Sequence, residues 1–140
     1  WAWYQFESKS KPKPDLRQYG FLESGTNGVR LEIEKDETQV LLSDFELWHY
    51  PLSFKSYIGN SEKDLCEFEN QLNQLGLTDT EFENLPIDIK QRIENSWDKI
   101  FDLNFDCDYF ANTRDNKSIQ GTFWELKYSE VKTIDFFKAR

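Results

Sequence analysis

The feature that most constrains the fold is the short apolar run Val40, Leu41 and Leu42. It is followed at once by a chain reversal and by the only histidine, in the stretch QVLLSDFELWHYPL at residues 39–52. Three consecutive aliphatics are too few for a helical stripe and predict a buried strand. Ser43 and Glu46 have capping-box spacing, which predicts that the strand hands over to a helix. Phe45 and Trp48, three apart, face one side of that turn, and Pro51 ends it by about Tyr50. His49 is thereby placed near a helix C-terminus, where the dipole favours the imidazolium and raises its pKa toward a useful range. The competing reading of His49 is a packed, hydrogen-bonded ring between Trp48 and Tyr50.

Around this stretch the chain alternates short strands with two amphipathic helices. WAWYQF at residues 1–6 reads as a strand with bulky aromatics on both faces. Asn27-Gly28 suits a type I′ hairpin joining residues 19–23 to VRLEIE at 29–34, the cleanest half-exposed strand. Residues 61–75 are helical by a Ser61 to Asp64 capping box, by Leu65, Phe68, Leu72 and Leu75 at helical spacing, and by Gly76 at the C′ position. A short helix is expected at 78–85. Ile89, Ile93, Trp97, Ile100 and Phe101 give residues 88–101 the strongest helical stripe, with Trp97 as core. Residues 102–117 read as a polar loop held down by Phe105, Tyr109 and Phe110. SIQGTFWELK at 118–127 reads as a strand on which Glu125 shares a face with Phe123 and Ile119, a carboxylate that needs a partner or a raised pKa. Residues 129–138 are a turn and then a strand or helix. The fold class is α+β: an antiparallel or mixed sheet of about five strands packed by the helices at 61–75 and 88–101.

Composition narrows the functions. The length of 140 residues fits a single domain. An aromatic share of 16% supplies either a core or a pocket for a flat ligand. The net charge of −9 opposes direct nucleic-acid or membrane binding, and an acidic surface attracts basic partners. Lys9, Lys11, Lys13 and Arg17 form the one basic cluster, in a loop that contacts an anion or is simply solvated. One histidine and two cysteines, with no CxxC pair, do not make a closed metal site. Cys66 and Cys107 are expected as free thiols in the cytoplasm. No apolar run approaches the roughly 20 residues that span a bilayer. The start at Trp1 and the absence of methionine suggest a piece of a longer protein, with sequence before Trp1.

WAWYQ at 1–5, KPDLR at 13–17, LLSDFELWHY at 41–50, SWDKIFDL at 96–103 and QGTFWEL at 120–126 occur in order. Together they resemble an uncharacterised family of bacterial proteins known only as a domain of unknown function. The resemblance implies a soluble bacterial protein and brings no catalytic residues with it.

Two functions are expected from different classes. The first is an NAD-handling domain, because short strands, interleaved helices and a glutamate on a late strand resemble the ADP-ribosyltransferase fold. There Glu125 would stabilise an oxocarbenium-like transition state after Gln120, Trp3 or Tyr4 would stack on nicotinamide, and Lys13 or Arg17 would meet the pyrophosphate. Five positions separate Gln120 from Glu125, in place of that fold's Gln-x-Glu. The second is a non-enzymatic acidic module for a basic, nucleic-acid-binding protein, with Trp48 as an exposed anchor. A His49–Asp44 acid-base pair is a third idea, weakened because five helical residues set the two about 140° apart.

Overall fold

The structure is a computed structural model that describes residues 1–107 and 113–140. The expected contacts of Tyr109 and Phe110 lie outside the described residues. Among the described residues, five antiparallel strands form two sheets, where the sequence suggested one. The first sheet has the order β1 (Ala2–Gln5), β4 (Ile119–Thr122), β3 (Leu41–Asp44). The second is a ribbon of β2 (Asn27–Ile33) and β5 (Val131–Lys138). Two helices follow β3, α1 (Glu62–Gln74) and α2 (Ile87–Ser96), and a 3₁₀ turn at Trp97–Phe101 continues α2. The α+β class stands.

α1 begins and ends where its sequence signals lie. The Ser61 hydroxyl accepts from the Asp64 amide, Gly76 takes a φ of 67°, and the Leu77 amide closes back on the Leu72 carbonyl at 2.8 Å. The apolar stripes of both helices meet in one cluster of Tyr57, Phe68, Leu85, Ile89 and Ile93. A second cluster, Leu47, Ile58 and Ile100, lies against β3, and Trp97 packs on both.

The region between them is pinned by Asp64. Its carboxylate accepts from the Asn60 amide, the Asn60 side chain and the Tyr57 hydroxyl, and Arg92 lies 3.7 Å away. The Asn60 amide, more than the Tyr57 hydroxyl or Arg92, holds this carboxyl below the usual range. A lowered native pKa contributes stability that is present above the unfolded value near 4 and is lost as pH falls through the native value. Asp64→Asn should therefore cost about 1–2 kcal/mol at neutral pH. Urea titrations should show that difference shrinking below about pH 4.

The other strands depart from the local signals. Asn27 and Gly28 open β2, opposite Lys138 and Phe137, and residues 19–23 form no strand. A Cβ on Gly28 would collide with the Phe137 ring, so this glycine serves a close approach. The turn at 45–49 is not capped by Ser43. Asp44 takes the amides of Glu46 and Leu47, while the Ser43 hydroxyl accepts from the Trp48 indole at 2.9 Å. No α-helix ends at Tyr50; a π-helical turn begins there, with Pro51 in its first turn. His49 is thus at the start of a helical turn and not at a helix C-terminus, as the sequence suggested. At 78–85 only a 3₁₀ turn forms, Phe82–Asn84.

Candidate functional site

The nominated residues fall into four places. Trp3 and Tyr4 stand on β1 and both line a cleft of about 570 Å³ over the three-stranded sheet. The Trp3 ring also meets Trp1, Phe6 and Phe45 edge-on at 5.5, 5.1 and 4.8 Å, and Phe45 in turn meets His49 at 5.4 Å. This row of rings fastens β1 to the turn after β3. Gln120 is the register partner of both Trp3 and Ser43 on the central strand. Its neighbour Gly121 turns the other way, into the cleft.

The basic cluster is occupied by the protein's own carboxylates. Lys9 pairs with Asp115, Lys11 with Glu7 and Lys13 with Glu32. Arg17 grips Asp15 through two bonds of 2.7 and 2.8 Å and holds that carboxyl down at about 2. Trp48, expected as an exposed anchor, is half-buried against the second core cluster and lies edge-on to Phe101. Glu125 is not on a strand. β4 ends at Thr122, so the expected shared face with Ile119 is not formed, and the Glu125 carboxylate lies exposed, 2.9 Å from Lys127.

One buried and one partly buried ion pair, which the sequence did not flag, hold the sheets in place. Lys117 lies 2.9 Å from Asp44, and Lys35 bonds both oxygens of Glu130 at 2.8 Å and the Glu125 carbonyl at 2.9 Å. Lys35 also lies over the Phe123 ring. All three of its protons are used, so the cleft above Phe123 offers no spare positive charge to an anion. Glu34 and Glu37 also line that cleft.

The larger concavity is elsewhere. A groove of about 1140 Å³ runs between α1 and the loop at 77–82. Its floor includes Leu65, Phe68, Leu72, Leu77, Phe82 and Leu85, and Glu69, Asp79 and Glu81 stand in its lining. Most of the lining of this groove belongs to the acidic third of the chain. Residues 61–107 hold twelve carboxylates and four cations, a net −8 of the total −9. That segregation was available in the sequence as a running charge sum, and a single net value conceals it.

Among known families, residues 1–132 match the model of the Domain of unknown function (DUF3841). The chain belongs to this family. The match spans all five motifs singled out above. No curated protein and no solved structure matches the chain. No helix among the described residues is long and apolar enough to cross a membrane.

Proposed function

We propose that this domain is an acidic interaction module that receives a cationic amphipathic segment of a partner protein in the groove beside α1. The observation that carries the reading is the coincidence of that groove with the third of the chain, residues 61–107, that bears −8 of the charge. An apolar floor between carboxylates matches a segment with large apolar residues on one face and Lys or Arg along its borders. Charge of this kind steers the encounter and selects the partner, while the floor supplies the contact area.

The nucleotide reading has one supporting observation, that Trp3 and Tyr4 share a cleft. The placement of the other residues favours it less. Glu125 pairs with Lys127 outside the cleft lining, Arg17 and Lys13 are engaged with carboxylates, and Glu37 in the lining would repel a pyrophosphate, beside Glu34, which is paired with Lys132.

A synthetic Lys/Leu amphipathic helix is a suitable probe, titrated into the chain and followed by amide NMR. Shifts are expected at Leu72, Leu77 and Phe82, with affinity falling steeply as salt rises. Reversing Glu69, Asp79 and Glu81 to Lys should weaken binding at least tenfold, roughly 1.4 kcal/mol. Reversing Glu62, Glu94 and Asp98 changes the net charge equally and should weaken it much less. Equal losses in the two triple variants would reduce the effect to general charge and sink the groove. A thermal midpoint raised by NAD and insensitive to NAD in Glu125→Gln would favour the nucleotide reading instead.

A further inference from the structure

The β2–β5 ribbon wears its faces the wrong way round. The two-residue period puts Val29, Leu31 and Ile33 on one face of β2, and the register adds Phe136 opposite Val29 and Ile134 opposite Leu31. Val29, Leu31, Ile134 and Phe136 are all exposed, Phe136 at 81%. The opposite face carries Arg30 paired with Asp135, and Glu32 paired with Lys13. A ribbon with one wet face normally turns its charges outward and its apolar side chains to protein. An apolar face left open in this way marks a contact surface.

The same face ends in a cavity. Ile33 belongs to the lining of the 570 Å³ cleft, whose walls include Ala2, Tyr4, Val40, Leu42 and Phe123. Gly121 keeps the base of the cleft low, since a Cβ there would come within 2.9 Å of the Val40 side chain and push it up. The ribbon therefore presents a protruding phenyl at the Val29 end and, at the Ile33 end, a hollow whose lining is mostly apolar, with Glu34 and Glu37 also in it. Four strand residues, about 13 Å, separate the two.

We infer that this face joins two copies of the chain about a twofold axis near Leu31, each copy seating its Phe136 in the cleft of the other. A twofold contact requires a patch that complements itself, and a knob and a hole on opposite sides of one axis meet that requirement twice over. Charge selects a second copy rather than the basic partner of the groove. Outside residues 61–107 the chain has fourteen carboxylates and thirteen cations, a net −1. The face of Val29, Leu31, Ile134 and Phe136 bears no charge of its own, so two copies meet on it without like-charge repulsion, and a cationic partner finds there only Glu34 and Glu37 at the cleft. No residue of the acidic segment 61–107 lies on the ribbon or in the lining of the cleft. This inference stands independently of the groove reading, because it uses a different surface.

Sedimentation of the chain over a range of concentrations tests it. The expected result is a mass that rises from one copy to two, and a monomer at every concentration for Phe136→Glu. Phe136 is exposed, so that variant should keep the wild-type circular dichroism. A second test keeps the phenyl and uses Val29→Cys/Ile33→Cys, at the two ends of the same face, in a Cys66→Ser background. Within one copy the two sites are too far apart for a disulfide, so mild oxidation should yield a covalent dimer. A wild-type chain that stays monomeric, a dimer that survives Phe136→Glu, or a double-cysteine variant that does not cross-link would each overturn the inference.

Discussion

Lys117→Met should destabilise the fold by about 3–5 kcal/mol. The side chains of Lys117 and Asp44 are 3% and 6% exposed, and their charged atoms lie 2.9 Å apart. Lys117 also donates to the Phe105 carbonyl at 2.7 Å. Methionine fills much the same volume, so the loss is electrostatic rather than a cavity. What remains is a buried carboxylate whose second oxygen has lost its cation, and such a charge costs several kcal/mol. The consequence is not confined to one point. Asp44 ends β3 and caps the turn at 45–49, and Lys117 leads into β4, so the pair fixes the register of the central strands. Asp44→Asn/Lys117→Met removes both charges and should recover part of the loss, since an apolar replacement of a whole buried pair is often nearly neutral. Urea denaturation of the single and double variants measures both values. A cost under about 1 kcal/mol for Lys117→Met would mean that water reaches the pair as it does a surface salt bridge.

The contrast between α1 and β4 shows what the sequence could convey. α1 is specified within its own residues by a serine cap, an apolar spacing and a glycine at the end, and the structure follows each of them. β4 depends on partners far away. The alternation in TFWELK continues past Thr122, but Thr122 pairs with Leu41 at the start of β3, and Ala2 pairs with Gly121 at the start of β1. With both neighbours exhausted there are no amides or carbonyls left to pair with, and Glu125 leaves the sheet. Similarly, the Asn27-Gly28 turn signal is real but local, and a longer ladder with β5 outcompeted it. Ser43 and Asp44 are both cap formers. The choice fell on Asp44 because Ser43 is still in the ladder and its hydroxyl is claimed by Trp48. Lys117 had no sequence signal at all, lying in a polar stretch where every residue looks solvated. The acidic groove was half legible: its charge could be summed along the chain, but its floor required the packing of α1 against the loop at 77–82.

Ile119→Ala should cost about 2–5 kcal/mol, in the upper part of that range because the site cannot collapse. Ile119 has no exposed surface, and on the central strand it is held between Gln5 on one side and Asp44 on the other. Both neighbours are tied down. Gln5 donates to the carbonyls of Arg114 and Lys117, and Asp44 is locked to Lys117. Side chains fixed by hydrogen bonds and charge do not shift to fill a void, so the cavity stays and its lining loses dispersion contacts. Ile119→Val removes one methyl group and should cost only about 0.5–1.5 kcal/mol, which separates volume from polarity at the same position. The cavity also borders the buried pair, so Ile119→Ala and Lys117→Met should not add. The alanine gives the stranded Asp44 carboxylate room for a water, and the double variant should lose less than the sum of the two by 0.5 kcal/mol or more, about the lower limit for residues in contact. Strict additivity in urea denaturation would show that the apolar and ionic parts of this sheet are independent, and that Lys117 is held by Phe105 rather than by the strand it precedes.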